Sequence, residues 1–142
     1  MKFTNKDVQL TPRDIENAQR ELSLRFPAPL TNHFLKVNGG KPDPHVYEDA
    51  RIDTTISESL ALKSTKGRHT AIETYRHLVL NLELLPANFF PFAADSGGDY
   101  FFADCSTEDG DVYLYRHDTN GEPLIPLGFG VDEFWARLKP ED

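Results

Sequence analysis

The stretch from Leu85 to Asp118 constrains the fold of this chain more than any other part of the sequence. It contains three apolar segments, Asn88 to Ala94, Asp99 to Ala103 and Val112 to Arg116, and the last two are rich in aromatic and β-branched residues, which favour strands. Glycine-containing turn sequences separate the segments, so we predict an antiparallel β-meander. Apolar side chains occupy both alternating faces of the last two segments, so we expect flanking helices to cover both sides of the sheet.

Two helices are predicted before the meander. Thr11-Pro12-Arg13-Asp14 has the residues of a helix start, with Thr11 as the N-cap, and this helix should end near Pro27. Thr31 is predicted to cap a second short helix, and Gly39 with Gly40 should end it in a left-handed turn.

The remaining segments complete an α+β architecture. Thr70 to Glu73 has the T-x-x-E form of a capping box, so it should open a helix that stops before Leu85. Arg51 to Lys63 is predicted to hold a strand, Leu124 to Leu127 a short strand and Val131 to Leu138 a closing helix. At 142 residues the chain fits one domain, residues 1–142, with helices packed on a single, mainly antiparallel sheet.

Acidic charge is concentrated in the second part of the chain. Residues 1–84 carry 12 Lys and Arg against 11 Asp and Glu, whereas residues 85–142 carry 3 against 12, and no Lys or Arg lies between Ala87 and Tyr115. The turns of the meander should therefore project a negative field, which repels nucleic acid and anionic membranes and attracts basic partners. Acidic turns also keep β-rich proteins in solution, and the sequence alone leaves both interpretations open.

Motifs for catalysis or for metal and cofactor binding are missing from the sequence. The five histidines have no zinc-ligand spacing, and the acidic turns lack the residue order of a calcium loop. Ser96 lacks the G-x-S-x-G context of a nucleophile, and Gly39-Gly40 is not a phosphate loop. We therefore predict no catalytic, cofactor-binding or metal-binding residues, although paired carboxylates leave a small hydrolase as an alternative.

The cysteine content and the absence of targeting signals indicate a cytoplasmic protein. The single cysteine, Cys105, cannot form an internal disulfide, and we expect it to be an unreactive free thiol. No signal peptide, long apolar run or lipidation motif is present, so no membrane association is expected.

Four short motifs occur in an order that resembles the SUKH superfamily. They are L-x-x-x-F-L-x-x-N-G-G from Leu30, L-L-P-x-x-F-x-P-F-A-x-D-x-G-G-D-Y-F from Leu84, G-x-V-Y-x-Y-x-H-D from Gly110 and V-D-E-F-x-x-x-L from Val131. The superfamily is named after a fungal cell-wall assembly regulator of the Smi/Knr type, and its bacterial members are largely immunity proteins against polymorphic and contact-dependent toxins. The resemblance covers about residues 11–138, which should form the core of the domain.

The resemblance implies a non-catalytic α+β domain that binds a protein, often a secreted nuclease toxin, and blocks it. The central turn of the family corresponds to Asp95, Gly97, Gly98 and Asp99, and its strand tyrosine and following histidine correspond to Tyr113 and His117. Asp99 stands where the family usually has Asn, and we expect the turn to survive this change because Asp tolerates similar conformations. Gly39, Gly40, Gly97 and Gly98 are interpreted as structural turn residues.

A hypothesis for the partner-binding surface joins the acidic turns to aromatic anchors. Its residues are Asp95, Asp99, Tyr100, Glu108, Asp109, Asp111 and Tyr113. The expected partner is a cognate toxin of basic charge, because an acidic inhibitor can occupy a surface that holds phosphates. Core packing is the alternative for the tyrosines and is expected for at least one of them. A monomer is favoured, and a regulatory scaffold that binds a host protein remains a second functional class.

Overall fold

The structure, a computed structural model, describes residues 1–142 and contains eight strands and four α-helices. The strands are β1 (Lys2–Thr4), β2 (Lys41–Asp43), β3 (Val46–Glu48), β4 (Asp53–Ser59), β5 (Phe89–Asp95), β6 (Tyr100–Asp104), β7 (Asp111–Tyr115) and β8 (Leu124–Pro126). The helices are α1 (Pro12–Leu22), α2 (Ala28–Lys36), α3 (Ala71–Tyr75) and α4 (Val131–Ala136), and α3 continues as a π-helical segment, Arg76–Asn81. The predicted α+β class is confirmed. No helix is both long enough and apolar enough to cross a bilayer.

The main sheet has six antiparallel strands in the order β3-β4-β5-β6-β7-β8, and β1 pairs with β2 in a separate two-stranded sheet. The predicted meander forms β5, β6 and β7. In the β6–β7 pair Tyr100 lies opposite Tyr115, and Asp104 lies opposite Asp111. This register decides which side chains share a face, because residues directly opposite each other point to the same side.

The main sheet curls around the short helix α4, whose Phe134 is fully buried. The Phe134 ring centroid lies 5.7 Å from Tyr47, 5.4 Å from Phe92 and 4.8 Å from Phe101, so one side chain contacts strands β3, β5 and β6. The curl brings the two ends of the strand order close together. Arg51, which lies between β3 and β4, donates a hydrogen bond from its guanidinium to the carbonyl of Pro126 in the edge strand β8. We call the side of the sheet that holds Phe134 the inner face.

The helix boundaries differ from the predicted ones in α1 and α2. The capping boxes at Thr11 and Thr70 are confirmed. Helix α1 ends at Leu22, because Ser23 takes a left-handed conformation with φ of 52°. Helix α2 begins at Ala28, and the prediction that Thr31 caps it is wrong: a proline in its first turn, where no N–H is needed, favours the earlier start. Its C-cap is Val37, in extended conformation, so Gly39 and Gly40 do not end the helix.

Hydrogen bonds of Asn38 and Asp7 anchor the segment between β1 and α1. Asn38 Nδ2 donates to the Val8 and Lys63 carbonyls at 2.7 and 2.8 Å, and its Oδ1 accepts from the Leu62 N–H at 2.8 Å. Gly40 follows with φ of 121°, and a Cβ there would lie 2.7 Å from the Thr4 carbonyl oxygen, so only glycine lets β1 approach this closely.

The Asp7 carboxylate is buried and its charge is compensated. It accepts from Ser64 Oγ at 2.6 Å and from the backbone N–H groups of Thr65 and Val8 at 2.9 and 2.8 Å, and the Arg68 guanidinium lies 3.9 Å away. Burial alone would raise the pKa of Asp7, but these hydrogen bonds and the charge of Arg68 outweigh it and lower the pKa to about 2. Asp7 therefore stabilises the fold in its ionised form.

Replacing Asp7 by Asn should destabilise the fold at neutral pH. The lowered pKa corresponds to about 2 kcal/mol of unfolding free energy, present above the pKa of about 4 in the unfolded chain and lost as pH falls towards about 2. Chemical denaturation of Asp7→Asn and wild type at neutral pH and near pH 3 measures this difference. The two proteins should differ most at neutral pH, and an equal difference at both values would contradict the assignment.

Candidate functional site

Strand β7 has one buried side and one open side. Val112 and Leu114 point to the inner face and are 0 and 1 % exposed, whereas Tyr113 and Tyr115 point away from it and are half-buried. The expectation that both sides of the last two segments are covered holds for the middle of β6, where Phe101, Phe102 and Ala103 are all buried. It is wrong for β7, so the outer side of the sheet is partly open there.

Three tyrosines share this open side. Tyr100 lies opposite Tyr115, and Phe102, two residues further along β6, lies opposite Tyr113. We call the outer side of β6 and β7, with Tyr100, Phe102, Tyr113 and Tyr115, the tyrosine face. Tyr100 and Tyr113 are both half-buried in it, and the Tyr113 ring meets the Phe89 ring edge-on at 4.9 Å. The two tyrosines of the predicted site are therefore neighbours on one surface.

The acidic turns lie at opposite ends of the tyrosine face. The first turn joins β5 to β6 and the second joins β6 to β7, and successive turns of a meander lie at alternate ends. The five residues of β6 separate the two turns by about 17 Å. A standard interface buries about 800 Å² on each partner and is wider than this, so a single partner can contact both turns.

Asp95 in the first turn is a structural residue. It is 7 % exposed, and its carboxylate accepts from Thr54 Oγ1 at 2.9 Å and from the backbone N–H groups of Gly97 and Asp99 at 3.0 and 2.8 Å. Gly98 has φ of 90°, which favours glycine, whereas Gly97 has no positive φ. Asp95 therefore closes the turn and is not available to a partner.

Asp99 pairs with His117 at the end of β7. Its carboxylate accepts from the His117 backbone N–H at 3.0 Å and contacts Nδ1 of the same ring. The hydrogen bond to Asp99 and its negative charge raise the pKa of His117 above its ordinary value. The Asp99 side chain is 16 % exposed, so most of it is committed to this pair.

The second turn presents free carboxylates. Glu108 and Asp109 are exposed, and Asp111 is half-buried at the start of β7. Asp104 was not predicted, and it organises the turn: Oδ1 accepts from the Ser106 N–H at 2.9 Å and from Asn88 Nδ2 at 2.6 Å. Burial would raise the pKa of Asp104, but these hydrogen bonds lower it. The available acidic groups of the predicted site are therefore concentrated here.

Exposed leucines are a surface feature that the sequence reasoning missed. Leu80, Leu82 and Leu84 are 47, 51 and 45 % exposed, beside the π-helical segment, and Glu83 between them has φ of 53°. The signal was present in the sequence, because five leucines between residues 78 and 85 exceed what one helix face can bury.

Cys105 is the one thiol of the chain, and its surroundings disfavour the thiolate. Burial, with the adjacent charge of Asp104, raises its pKa to about 12, so the group is a protonated thiol near neutral pH.

No group of three or more His, Cys, Asp or Glu side chains is arranged to hold a metal ion.

Comparison with protein families gives a match over most of the chain. A family described as the SMI1/KNR4 family (SUKH-1) matches residues 9–136, a range that contains every element of the fold except β1. The resemblance seen in the four motifs is confirmed. A comparison with curated proteins gives no match.

Replacing Asp99 by Asn, the residue that the resemblance places at this position, should lower the pKa of His117 towards its ordinary value of 6.5. The amide oxygen can still accept from the His117 N–H, but the negative charge is lost. The stabilisation from this pair should be present at low pH and disappear as pH rises through the pKa of His117. An NMR titration of the imidazole resonances measures the shift, and the resonances of the exposed His69 and His77 control for general changes. An unchanged His117 titration would contradict the pairing.

Proposed function

The chain belongs to the SMI1/KNR4 family (SUKH-1), and from this membership and the tyrosine face we propose that it is an immunity protein that binds and neutralises a cognate toxin. It acts as a non-enzymatic protein-binding module. The toxin carries a basic surface, which is covered by the second turn with its exposed carboxylates, Glu108 and Asp109.

The observation that carries this proposal is the composition of the tyrosine face. Three half-buried tyrosines lie side by side on β6 and β7, with exposed carboxylates in the turn beyond them and no Lys or Arg between Ala87 and Tyr115. Protein interfaces are enriched in aromatic residues at their centre, and their binding energy is concentrated in a few Tyr, Trp and Arg side chains. A surface with this pattern fits a protein partner.

The charge of the surface supports a basic partner. Glu108 and Asp109 are exposed, and the part of the chain from residue 85 onwards carries 3 basic against 12 acidic residues. A nuclease toxin needs basic residues to hold phosphate groups, so an inhibitor with this charge speeds the encounter and excludes the nucleic acid from the same surface.

The carboxylates support a binding role over hydrolysis. A general acid for hydrolysis needs a carboxyl group whose pKa is raised towards neutral pH. Hydrogen bonds lower the pKa at five carboxyl groups, those of Asp7, Asp14, Asp49, Glu73 and Asp104. A cleft between β1, α2 and α4 is lined by three lysines and only one acidic residue, Asp132. Neither feature favours the hydrolase alternative.

Affinity capture from the native cell, with this chain as bait and washes at low and high salt, tests the proposal. We expect a basic protein whose retention falls steeply with salt, because screening weakens contacts between exposed charges. Expression of the captured protein alone should arrest growth, and coexpression of this chain should restore it. Capture of a housekeeping complex without such toxicity would instead support the alternative, a regulatory scaffold of the Smi/Knr type.

Variants of the second turn should separate the contribution of its carboxylates to binding from the effect of net charge. Glu108→Lys with Asp109→Lys should weaken binding to the captured toxin by about tenfold to a hundredfold, since reversed charges face a basic surface. Glu16→Lys with Asp43→Lys changes the net charge equally at exposed positions on α1 and β2, and it should cost less than about twofold at physiological salt, where the Debye length is about 8 Å. Calorimetric titration measures both, and circular dichroism checks folding. Equal losses in the two variants would contradict this contact surface.

A further inference from the structure

A cleft of about 600 Å³ lies between β1, α2 and α4, away from the tyrosine face. Its floor is aromatic: the Trp135 and His33 rings stack at 4.7 Å with an interplanar angle of 14°, and the Phe3 ring meets Trp135 edge-on at 5.3 Å. The volume lies within the range of about 300 to 1,000 Å³ that is typical of small-molecule sites.

The rim of the cleft is basic in a chain whose net charge is −8. Lys2, Lys6 and Lys36 line it and are exposed, and none of them takes part in a salt bridge. Asp132 is the one acidic residue among the lining residues. The rim can therefore hold an anionic group.

His33 contributes a neutral ring to the floor. Burial, with the nearby charge of Lys36, lowers its pKa to about 3, and its Nε2 hydrogen-bonds Ser59 Oγ at 2.8 Å. The floor of the cleft is therefore uncharged and aromatic at neutral pH, and positive charge is confined to the rim.

The indole of Trp135 has an unsatisfied donor. Trp135 is 9 % exposed, and its Nε1 is buried without a hydrogen-bond partner, the only buried side-chain nitrogen or oxygen in this state. A buried donor without a partner destabilises the folded state, so its presence calls for an explanation. An acceptor brought by a ligand would satisfy it.

We propose that this cleft binds a small aromatic anion. A planar ring packs against Phe3 and Trp135, the lysines hold a phosphate or carboxylate group, and Nε1 of Trp135 donates to an acceptor on the ligand. Access to Nε1 requires one wall to shift, and β1 is the wall best suited to this, because its three residues pair only with β2.

The single tryptophan makes the cleft directly observable. The chain contains one Trp, so an ¹⁵N-labelled sample gives one indole N–H cross-peak. The probes are adenosine 5′-monophosphate for a phosphate-bearing ring and phenylacetate for a carboxylate-bearing ring, with adenosine and inorganic phosphate as the separate parts. We expect at least one of the two ring-bearing anions to shift the cross-peak saturably and to bind about tenfold more tightly than a ring or an anion alone. The probe that binds identifies the anionic group.

Matched variants test the role of the lysines. Lys36→Gln should weaken binding of the active probe by about tenfold, as expected for the loss of one charge-assisted hydrogen bond. Arg13→Gln removes the same charge from an exposed position on α1, outside the cleft, and should leave binding unchanged. The absence of a saturable shift with both ring-bearing anions, or equal affinity in Lys36→Gln and wild type, would overturn the proposal. Neither result bears on toxin binding, which uses the tyrosine face.

Discussion

The packing of Phe134 inside the curled sheet is the contact on which the rest of the structure depends. Its ring lies 4.8 to 5.7 Å from those of Phe101, Phe92 and Tyr47, which belong to three different strands. Helix α4 has six residues, too few for a stable isolated helix, so it forms because this aromatic cluster holds it. The cluster in turn needs the sheet to curl, since β3 and β6 are not neighbours in the strand order. The curvature of the sheet and the formation of α4 therefore depend on each other.

This arrangement leaves the outer side of the sheet partly uncovered. The inner side of β7 is filled by Val112 and Leu114, and the chain supplies no equivalent cover for Tyr113 and Tyr115. Tyrosine suits such a position, because its ring buries apolar area while its hydroxyl remains hydrated in the free protein. The free carboxylates of the second turn also discourage association between copies of the chain, since they repel each other. The tyrosine face therefore combines apolar area with nearby negative charge that opposes self-association.

Short-range sequence patterns, such as helix caps and turns, made much of the fold predictable. The elements that were not predicted form through pairing between distant parts of the chain. The meander, both capping boxes and the closing helix follow from residues within a few positions of each other. Strands β1, β2 and β3 have three residues each, too short for a periodic pattern, and they form through partners far along the chain. The same limit applies to the site. Asp95 belonged to the predicted contact set, but its burial depends on Thr54, 41 residues away. That Tyr100 and Tyr113 share a face follows from strand register, which the turn sequences alone do not determine.

The basic and acidic residues that are separated along the sequence also lie on different surfaces of the fold, and this affects both proposed sites. The lysines of the cleft come from residues 2 to 36, whereas the carboxylates of the second turn come from residues 104 to 111. A basic toxin would be attracted to the tyrosine face and repelled from the cleft, and a small anion would behave in the opposite way. The two proposed ligands would therefore not compete. One aromatic cluster lies between the two sites, because Trp135 in the cleft is adjacent to Phe134, whose partner Phe101 lies on the inner side of the strand that carries Tyr100. A ligand that satisfies Nε1 of Trp135 stabilises the folded state by mass action, and with it the aromatic cluster that holds β6 in place beneath the tyrosine face.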